Sequence, residues 1–450
     1  MNPAIFKAYD IRGIYPDELD ASAAAAIGGA FARFVGGGPL ILGRDMRESG
    51  NVLRESFVAG VLAEGVEIID VGRIATPMLY FATASLGAAG GAMITASHNP
   101  GAYNGFKLCG ASAVPIGIET GLQDIRALAE ERLGRESGAP RTRLREHDIR
   151  AAYYESLLEM FPARPELRVV IDAGNGIAGE AVSGLLDQLP LDVTKLYFEP
   201  DGSFPNHEAD PLKLENLEDL IQAVRREGAD LGIAFDGDGD RAVFVDERGD
   251  PVPADLMTAL LARMVLERGL LGAAPGAHIV YDLRSSLVVP EFVREAGGVP
   301  VRSRVGHAFM KQLMVKMNSC FGGELSGHYY FRFPAGYVGD DASAAMMLVL
   351  QAMKLGGVPL SELSRPLRRY VQSGELNRRV ADTAATLERV CQAFPGGEVD
   401  HLDGLTVSFR DWWFNLRPSN TEPLVRLNVE APSEDEMASH RDQVLALIEE

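Results

Sequence analysis

The sequence predicts an α/β protein of several domains, and three observations indicate this. Strand-like and helix-like runs alternate through most of the 450 residues, which is typical of parallel sheets covered by helices. Three charge-rich, apolar-poor stretches, at 132–148, 247–254 and 361–373, interrupt the alternation. The last segment differs in character, because strands and a loop there lead into a terminal helix over 434–450.

The alternation can be followed element by element. Two alanine-rich or apolar runs, 21–35 with Arg33 and 342–353 with Gln351, are expected to be packed helices and not membrane spans. The other elements we expect are strand 39–45, helix 55–65, strands 66–72, 92–94 and 167–175, helix 181–189, strands 191–198, 231–235 and 242–245, and an amphipathic helix near 307–317.

The charge-rich stretches are candidate linkers, so they divide the chain into four domains. We expect α/β domains at 1–145, 146–250 and 251–365, and a smaller α+β domain at 366–450. Each segment has a size that is usual for a domain.

Composition and charge exclude several classes of function. A net charge of −20 argues against nucleic acid or an anionic membrane as the main partner, although a local basic cleft could still bind a small anion. The three cysteines form no C-x-x-C pair, so neither a disulfide framework nor a cysteine zinc site is indicated. The N-terminal residues contain no hydrophobic signal core, and a reducing cytoplasm fits this composition.

The stretch GAMITASHNPGAYNGFKL, residues 91–108, joins a short strand to a stiff turn. Ser97 and His98 follow the strand directly, and Pro100 and Gly101 prevent a helix from forming after them. We therefore expect a fixed loop with Ser97 near its tip. A turn made only for connection does not need that hydroxyl.

An acidic loop, DGDGDR, lies between two apolar strands at 236–241. Asp236, Asp238 and Asp240 would repel one another unless they share a cation, and the intervening glycines give the backbone freedom to converge. An EF-hand is excluded because Arg241 stands where glycine is required and no helices flank the loop. The pattern predicts Mg²⁺ completed by a phosphate oxygen, with a solvated acidic turn as the simpler alternative.

Residues 174–179, GNGIAG, match the G-x-G-x-x-G pattern of dinucleotide sites. This allows a dinucleotide-dependent oxidoreductase as an alternative function. The simpler interpretation is a tight turn between a strand and a helix. The dinucleotide hypothesis also leaves Ser97 and the acidic loop without a role.

Further polar loops could bind anions or sugars. In RPSNTEP, at 417–423, an arginine and three short donors suit a phosphate. Glu324 and Ser326, two residues apart, could point toward paired hydroxyls, although a simple turn is equally consistent with this short pattern. For the arginines of YDIRG at 9–13 and GRDMR at 43–47, internal ion pairs are at least as good an interpretation as ligand contacts.

Five of these motifs together resemble the α-D-phosphohexomutase family, essentially from end to end of the chain. They occur in the order YDIRG (9–13), TASHNP (95–100), DGDGDR (236–241), GELSGH (323–328) and RPSNTEP (417–423). The resemblance implies four domains around a central cleft, three of them related α/β domains with mixed sheets and the fourth a smaller α+β domain.

The resemblance also implies the site. It makes Ser97 the carrier of a phosphoryl group, beside Mg²⁺ that Ser97 and the three aspartates hold. Its other implied residues are His98, Lys107, Arg241 and His307 at the reacting end, Tyr9 and Arg12 nearby, Glu324 and Ser326 on the sugar hydroxyls, Arg417, Ser419, Asn420 and Thr421 on the non-reacting phosphate, and Arg284 and His328 as further substrate-binding residues.

The implied activity is interconversion of hexose 1-phosphate and hexose 6-phosphate through a hexose 1,6-bisphosphate, with Lys107 or His307 as the base. A serine hydrolase is disfavoured because Ser97 lies in TASHN and not in G-x-S-x-G. The partners would be small sugar phosphates, without nucleic acid or membrane, and the protein would be a monomer.

Two positions depart from the family pattern. Arg284 stands where relatives often have lysine, and Leu325 where close relatives often have methionine. The glutamine typical of phosphoglucosamine mutases is absent from the sugar loop, which favours mannose and glucose phosphates over that alternative.

Overall fold

The computed structural model describes residues 1–134, 143–418 and 424–449. Its strands form four sheets of six, five, five and six strands. The predicted α/β class, with three mixed sheets and a smaller C-terminal unit, is confirmed.

The first sheet has the strand order β1-β5-β4-β2-β3-β6. Strands β4, β2, β3 and β6 are parallel, and β5 and β1 are added antiparallel at one edge. The elements are β1 (Ile11–Ile14), α1 (Ala21–Val35), β2 (Leu40–Arg44), α2 (Gly50–Ala63), β3 (Ile68–Arg73), α3 (Thr76–Ser85), β4 (Gly90–Ile94), β5 (Tyr103–Gly110), α4 (Leu122–Arg132) and β6 (Leu144–Glu146).

Helix α1 is the alanine-rich run that the sequence predicts to be packed. Asp20 caps it by accepting a hydrogen bond from the Ala23 amide at 2.7 Å, and Gly36 ends it in the left-handed conformation. It packs closely on α2, because a Cβ at Gly60 would lie 2.0 Å from the Ala25 carbonyl oxygen.

The second sheet has the order β11-β10-β9-β7-β8, with β8, β7 and β9 parallel. Its elements are α5 (Arg150–Met160), β7 (Leu167–Asp172), α6 (Ala178–Leu186), β8 (Leu191–Leu196), α7 (Glu218–Glu227), β9 (Leu231–Phe235), β10 (Ala242–Asp246) and β11 (Pro251–Val252).

The third sheet has the order β13-β12-β14-β15-β16, with β13, β12 and β14 parallel. Its elements are α8 (Ala254–Arg268), β12 (His278–Asp282), α9 (Val288–Glu295), β13 (Val299–Ser303), α10 (His307–Lys316), β14 (Phe321–Gly323), β15 (Tyr329–Arg332), β16 (Val338–Asp340), α11 (Ala342–Gly356) and α12 (Leu360–Ser364).

The fourth sheet is antiparallel, as expected for an α+β unit. Its elements are β17 (Val371–Gln372), β18 (Leu376–Arg379), α13 (Thr383–Ala393), β19 (Glu398–Asp400), β20 (Leu405–Ser408), β21 (Trp413–Pro418), β22 (Leu424–Ala431) and α14 (Glu434–Glu449).

All three of the stretches predicted as linkers contain regular structure. Within the described part of 132–148, β6 pairs with β3 of the first sheet. Residues 247–254 include β11, which pairs with β10 of the second sheet. Residues 361–373 include most of α12 and all of β17, which pairs with β22 of the fourth sheet. A high density of charged residues therefore does not indicate an absence of regular structure.

The apolar core is shared unequally among the four units. One continuous cluster joins the first three, with Ile69, Ile171 and Phe331 among its buried members. The fourth unit has a cluster of its own, built around Phe414 and Leu427.

In the described part of the chain, no single helix is long and apolar enough to cross a membrane. Helices Ala342–Gly356 and Leu360–Leu367 meet that test only as a pair, and the pair is bent by 89°.

Candidate active site

A cavity of about 620 Å³ lies where the four units meet. Its wall contains thirteen of the residues that the sequence singled out: Tyr9, Arg12, Ser97, His98, Lys107, Asp240, Arg241, Arg284, His307, Glu324, Ser326, His328 and Arg417. Ser419, Asn420 and Thr421, also predicted, lie outside the described residues.

Ser97 is fixed on a turn that follows β4. Its backbone has φ of +51°, which is unusual for a residue other than glycine. The Ser97 amide donates to Thr95 Oγ1 at 2.9 Å, and the Ser97 hydroxyl donates to Asp236 Oδ2 at 3.1 Å. His98 Nδ1 lies 3.3 Å from the same hydroxyl oxygen. The serine is therefore aimed at the acidic loop, as the sequence predicts.

The acidic loop connects β9 to β10 and is completely buried. One carboxylate oxygen each from Asp236, Asp238 and Asp240 lies within 4.8 Å of the others. Asp238 Oδ1 is buried without a hydrogen-bond partner in the described structure, and Asp240 Oδ1 has a polar contact with His328 Nε2 at 3.4 Å that is too long or poorly aligned for a hydrogen bond. Buried carboxylate oxygens are normally satisfied, so these two fit ligands of a hard divalent cation such as Mg²⁺. The group could hold a metal ion.

The loop approaches the serine turn closely because it contains glycine. A Cβ at Gly237 would lie 2.4 Å from the Ser97 carbonyl oxygen, and Gly239 has φ of +74°. The glycines between the aspartates thus serve packing against the serine turn as well as convergence of the carboxylates.

Lys107 projects from β5 onto two of the aspartates. Its ammonium donates to Asp238 Oδ2 at 2.7 Å and to Asp240 Oδ2 at 2.5 Å. Burial alone would lower the pKa of Lys107, but the two carboxylates outweigh it and raise that pKa. Lys107 is therefore a fixed cation here, which argues against its predicted alternative role as a base.

The three carboxylates differ in their protonation behaviour. Burial and the neighbouring Asp240 raise the pKa of Asp236 to about 7. Burial also opposes ionisation of Asp238 and Asp240, but the Lys107 ammonium lowers the pKa of each.

Arg241 ends the acidic loop and joins it to a second loop. Its Nε donates to Asp236 Oδ2 at 3.1 Å, and its Nη1 lies 3.3 Å from Asp210 Oδ1. Arg241 Nη2 is buried without a partner in the described structure, which leaves a donor for an anion in the cavity.

Two imidazoles line the same end of the cavity. Burial and the charges of Lys311 and Lys107 hold the pKa of His307 well below its usual range, so this ring is neutral. His328 Nε2 lies 3.4 Å from Asp240 Oδ1, and its Nδ1 lies 2.9 Å from Ser326 Oγ. Tyr9 packs edge-on against the His307 ring, with centroids 5.4 Å apart.

The sugar loop after β14 is rigidly held. Glu324 is only 2% exposed. Its Oε1 accepts from the Gly306 amide at 2.9 Å, and its Oε2 accepts from the Tyr330 hydroxyl. The Ala242 amide donates to the Gly327 carbonyl at 3.1 Å, which joins this loop to the acidic loop.

Another part of the cavity wall carries three arginines, Arg284, Arg417 and Arg426. Arg417 Nη2 donates to Glu375 Oε2 at 2.7 Å, and Arg426 Nη1 donates to Glu375 Oε1 at 3.1 Å. Arg284 is paired with Asp282 at 2.8 Å and lies 3.9 Å from the same glutamate. Three guanidinium groups therefore meet two carboxylates, Glu375 and Asp282, which leaves a positive charge that suits an anion.

Arg12 supports the serine turn from the cavity side. Its Nη1 donates to Asn99 Oδ1 at 2.8 Å and its Nη2 to Asp10 Oδ2 at 2.5 Å. Arg12 thus makes the internal ion pair that the sequence allowed, and it also faces the cavity.

Three further side chains contact these residues, and no sequence pattern indicates them. Thr76 Oγ1 donates to Asp238 Oδ2 at 2.6 Å, Asp210 pairs with Arg241, and Glu375 bridges the arginines. All three stand in unremarkable local sequence, so only the tertiary fold reveals them.

The glycine motif at 174–179 serves packing. A Cβ at Gly176 would lie 2.8 Å from the Gly237 carbonyl oxygen, and the Ile177 amide donates to that oxygen at 3.0 Å. The motif therefore supports the acidic loop, in agreement with its simpler interpretation.

Models of four protein domains match this chain in sequence. They describe domains I, II and III (alpha/beta/alpha) and the C-terminal domain of phosphoglucomutase/phosphomannomutase, and they match residues 3–134, 151–249, 253–370 and 375–447.

Individual proteins are similar over the same length. A phosphomannomutase of Methanocaldococcus jannaschii is 37% identical over 448 residues, which cover 99% of this chain and 97% of that protein. A crystal structure of a phosphoglucomutase/phosphomannomutase family protein from Burkholderia thailandensis has a TM-score of 0.89 at 34% identity, covering 99% of this chain and 96% of that one.

A more distant structure shares the fold alone. It is the N-acetylphosphoglucosamine mutase of Aspergillus fumigatus in complex with GlcNAc-6P and magnesium. Its TM-score is 0.63 at 15% identity, covering 99% of this chain and 96% of that chain.

Proposed function

Since this chain belongs to the phosphoglucomutase/phosphomannomutase family, we propose that it transfers the phosphoryl group through Ser97. The chain is a hexose-phosphate mutase, an isomerase that acts by phosphotransfer. The proposal goes further and names the reacting residue and the sugars. In it, phospho-Ser97 interconverts the 1- and 6-phosphates of mannose and glucose.

One observation carries this assignment. The Ser97 hydroxyl lies 3.1 Å from a carboxylate oxygen of the buried aspartate group, and it lines the same cavity as Arg284, Arg417 and Arg426. A substrate with two anionic ends suits this arrangement, because one phosphate meets the serine while the other meets the arginines.

Magnesium would be held by Asp236, Asp238, Asp240 and Ser97. When bound, it would neutralise charge on the transferring phosphoryl group. Phospho-Ser97 would add about −1.5 to −2 charges beside these three carboxylates, and Lys107 and Arg241 provide fixed cations against that excess.

The transfer itself requires little covalent chemistry from the protein. A sugar hydroxyl at O1 or O6 attacks the phosphorus and the bond to Ser97 Oγ breaks. The neutral imidazole of His307 accepts the hydroxyl proton, and Ser97 Oγ takes up one proton as it leaves, so that a phosphoryl group and a proton are exchanged between the two oxygens. His307 and His328 both line this end of the cavity. The hexose 1,6-bisphosphate then turns over, and Ser97 recovers the other phosphoryl group.

Reorientation requires that both binding poses use the same contacts. Glu324 and Ser326 would hold sugar hydroxyls, and Arg417 would hold the phosphate that is not reacting. The absence of glutamine from GELSGH favours mannose and glucose over a glucosamine substrate.

Replacement of the serine tests the proposal. We expect Ser97→Ala to abolish turnover of mannose 1-phosphate and glucose 1-phosphate in the presence of glucose 1,6-bisphosphate, without loss of thermal stability. Ser112→Ala is the matched control, because Ser112 also has positive φ, 54°, but is exposed outside the cavity. Unchanged turnover in Ser97→Ala would refute the role of this residue.

A further inference from the structure

A buried arginine that the proposed mechanism does not use holds the turn that carries Ser97. Arg47 lies just beyond β2 and is only 3% exposed. It pairs with Asp45, which is completely buried, through a bond from Nε to Oδ2 of 3.2 Å. This is the internal ion pair that the sequence allowed at GRDMR. Arg47 also makes further hydrogen bonds through its terminal nitrogens.

The terminal nitrogens of Arg47 bond to four backbone carbonyl groups of the serine turn. Nη2 donates to the carbonyls of Ser97 at 2.9 Å and Asn99 at 2.5 Å. Nη1 donates to the carbonyls of Pro100 and Tyr103, both at 2.9 Å. With the Asp45 bond, every N–H donor of the guanidinium is used. A lysine has three donors without a planar fork and could not reproduce this set.

Residues 202–204 of the second unit also pack against this turn and against Arg47. A Cβ at Gly202 would lie 3.0 Å from Arg47 Cα, and a Cβ at Gly101 would lie 2.4 Å from the Gly202 carbonyl oxygen. The Phe204 ring centroid lies 5.3 Å from the guanidinium carbon of Arg47. The serine turn is therefore enclosed between Arg47 and residues 202–204.

The serine turn needs this support for two reasons. Ser97 has φ of +51°, a strained conformation for a residue other than glycine that persists only where its surroundings enforce it. A phosphoryl group on Ser97 would also repel Asp236, whose oxygen lies 3.1 Å from the hydroxyl. Without a restraint, the turn could relax away from the acidic loop.

We propose that Arg47 is a positioning residue that fixes the serine turn through its four carbonyl contacts and so keeps the phosphoryl group aligned for transfer. This inference rests on the proposed function of Ser97. Arg47 does not line the cavity, so it acts through the turn and not through the substrate.

The test compares Arg47→Lys with Arg44→Lys. Arg44 lies at the end of the same strand, and its Nε donates to Asn51 at 3.1 Å, away from the serine turn. We expect Arg47→Lys to lower kcat for glucose 1-phosphate by about 100-fold, the loss typical of a misplaced reacting group. The dissociation constant of Arg47→Lys for glucose 6-phosphate, measured by calorimetry, should equal that of the parent protein. Arg44→Lys should have the same kcat and the same dissociation constant as the parent protein.

A second variant serves if Arg47→Lys does not fold. Gly202→Ala leaves every donor of Arg47 in place but adds a methyl group against its Cα, and we expect a several-fold lower kcat with unchanged glucose 6-phosphate affinity. Turnover equal to that of the Arg44 control, or equal losses of kcat and affinity together, would overturn the positioning role. Failure of the proposed function is distinguishable, because the parent protein itself would then lack turnover and a phosphoryl adduct at Ser97.

Discussion

Lys107 places one ammonium group against two carboxylates that fit metal ligands. It contacts Asp238 and Asp240 at 2.7 and 2.5 Å, so it balances part of their charge in the absence of a metal. A divalent ion at the aspartates would experience this nearby positive charge as repulsion. The residue therefore sets the affinity of the site for its cation as well as its net charge.

We expect Lys107→Met to bind Mg²⁺ at least about tenfold more tightly than the parent protein, since a unit charge a few ångströms away is worth several kcal/mol at an effective dielectric constant near 20. Turnover should fall nevertheless, because a cation that faces the phosphoryl group is lost. Calorimetric titration with MgCl₂ measures the affinity.

Lys7→Met is the matched control, because Lys7 also lines the cavity but is exposed at its rim. Its Mg²⁺ affinity should change little. Weaker Mg²⁺ binding by Lys107→Met than by this control would contradict the charge argument.

At this scale the sequence indicated which polar groups lie together better than it indicated their protonation. Ser97 and the aspartates were identifiable, because their residue types and spacing have few other uses. The neutrality of His307 was not, since it depends on burial and on Lys311, which comes from a buried face of α10. The four carbonyl contacts of Arg47 were equally hidden, because no sequence pattern encodes which carbonyl groups a buried arginine meets.

Among the elements, helix α11 begins at a buried acidic cap. The side chain of Asp341 accepts from the Ala344 amide at 2.9 Å, and the Tyr153 hydroxyl of α5 lies 2.8 and 2.9 Å from its two oxygens. Burial raises the pKa of Asp341 to about 7, although these hydrogen bonds oppose the rise. The cap thus joins the second and third units through a group that is uncharged below neutral pH.

The sign of the resulting pH dependence follows from proton binding. Between the unfolded pKa of Asp341 and about 7, the folded state holds a proton that the unfolded state has released. Stability therefore falls as the pH rises through this window, by about 1.4 kcal/mol per unit. We expect Asp341→Asn to remove this slope, so that its apparent Tm rises relative to the parent between pH 5 and 7.

Asp382→Asn provides the control for this measurement. Asp382 caps α13 in the same way, accepting from the Ala385 amide at 3.0 Å, but it is exposed. The apparent Tm of Asp382→Asn should equal that of the parent protein at every pH. Parallel Tm curves for Asp341→Asn and the parent would show that Asp341 does not hold a proton in the folded state.

The sequence predicted that most of the helices and strands exist, but it predicted their first and last residues less accurately. The expected strand at 231–235 is β9 with identical bounds, whereas the expected helix at 55–65 is α2 over Gly50–Ala63. Apolar periodicity specifies which residues pack, but the cap that ends an element depends on neighbours distant in sequence. Short strands such as β17 were missed because two residues carry no periodicity.

Across the whole molecule, the fourth unit stands apart. Its apolar cluster is separate from the core that joins the first three units. Its contacts with the third unit are largely polar, such as Leu287 N to Glu430 Oε1 at 2.9 Å and the ion pair of Arg302 with Asp400. Polar interfaces of this kind permit relative motion, which reorientation of a bisphosphate would require.

Both tryptophans of the chain, Trp412 and Trp413, belong to this unit. Intrinsic fluorescence therefore reports on the fourth unit, while far-UV circular dichroism reports on all four. We expect the fluorescence transition in urea to occur at a lower midpoint than the main circular dichroism transition, because the smaller core is independent.

Glucose 6-phosphate should raise the fluorescence midpoint, since its phosphate would tie Arg417 to the other units. The two signals would superimpose if the four units unfolded as one cooperative body. That result would contradict the independence of the fourth core.

The sequence predicted the four units and the general cleft, but not how the core is divided among them. Charge-rich stretches indicated where one unit passes to the next, yet they do not encode which interfaces are apolar. That distinction depends on surfaces such as α5 and α11, which meet only after folding.

The cavity is built from four successive segments of the chain, so its parts are synthesised at different times. The serine turn and the acidic loop are complete once the ribosome has added Arg241, but the basic end of the cavity awaits Arg417 and Arg426. A growing chain therefore contains the serine turn and the acidic loop long before it contains the residues that would retain a sugar phosphate. Half-made molecules would not consume metabolites, because capture depends on the last strands to emerge.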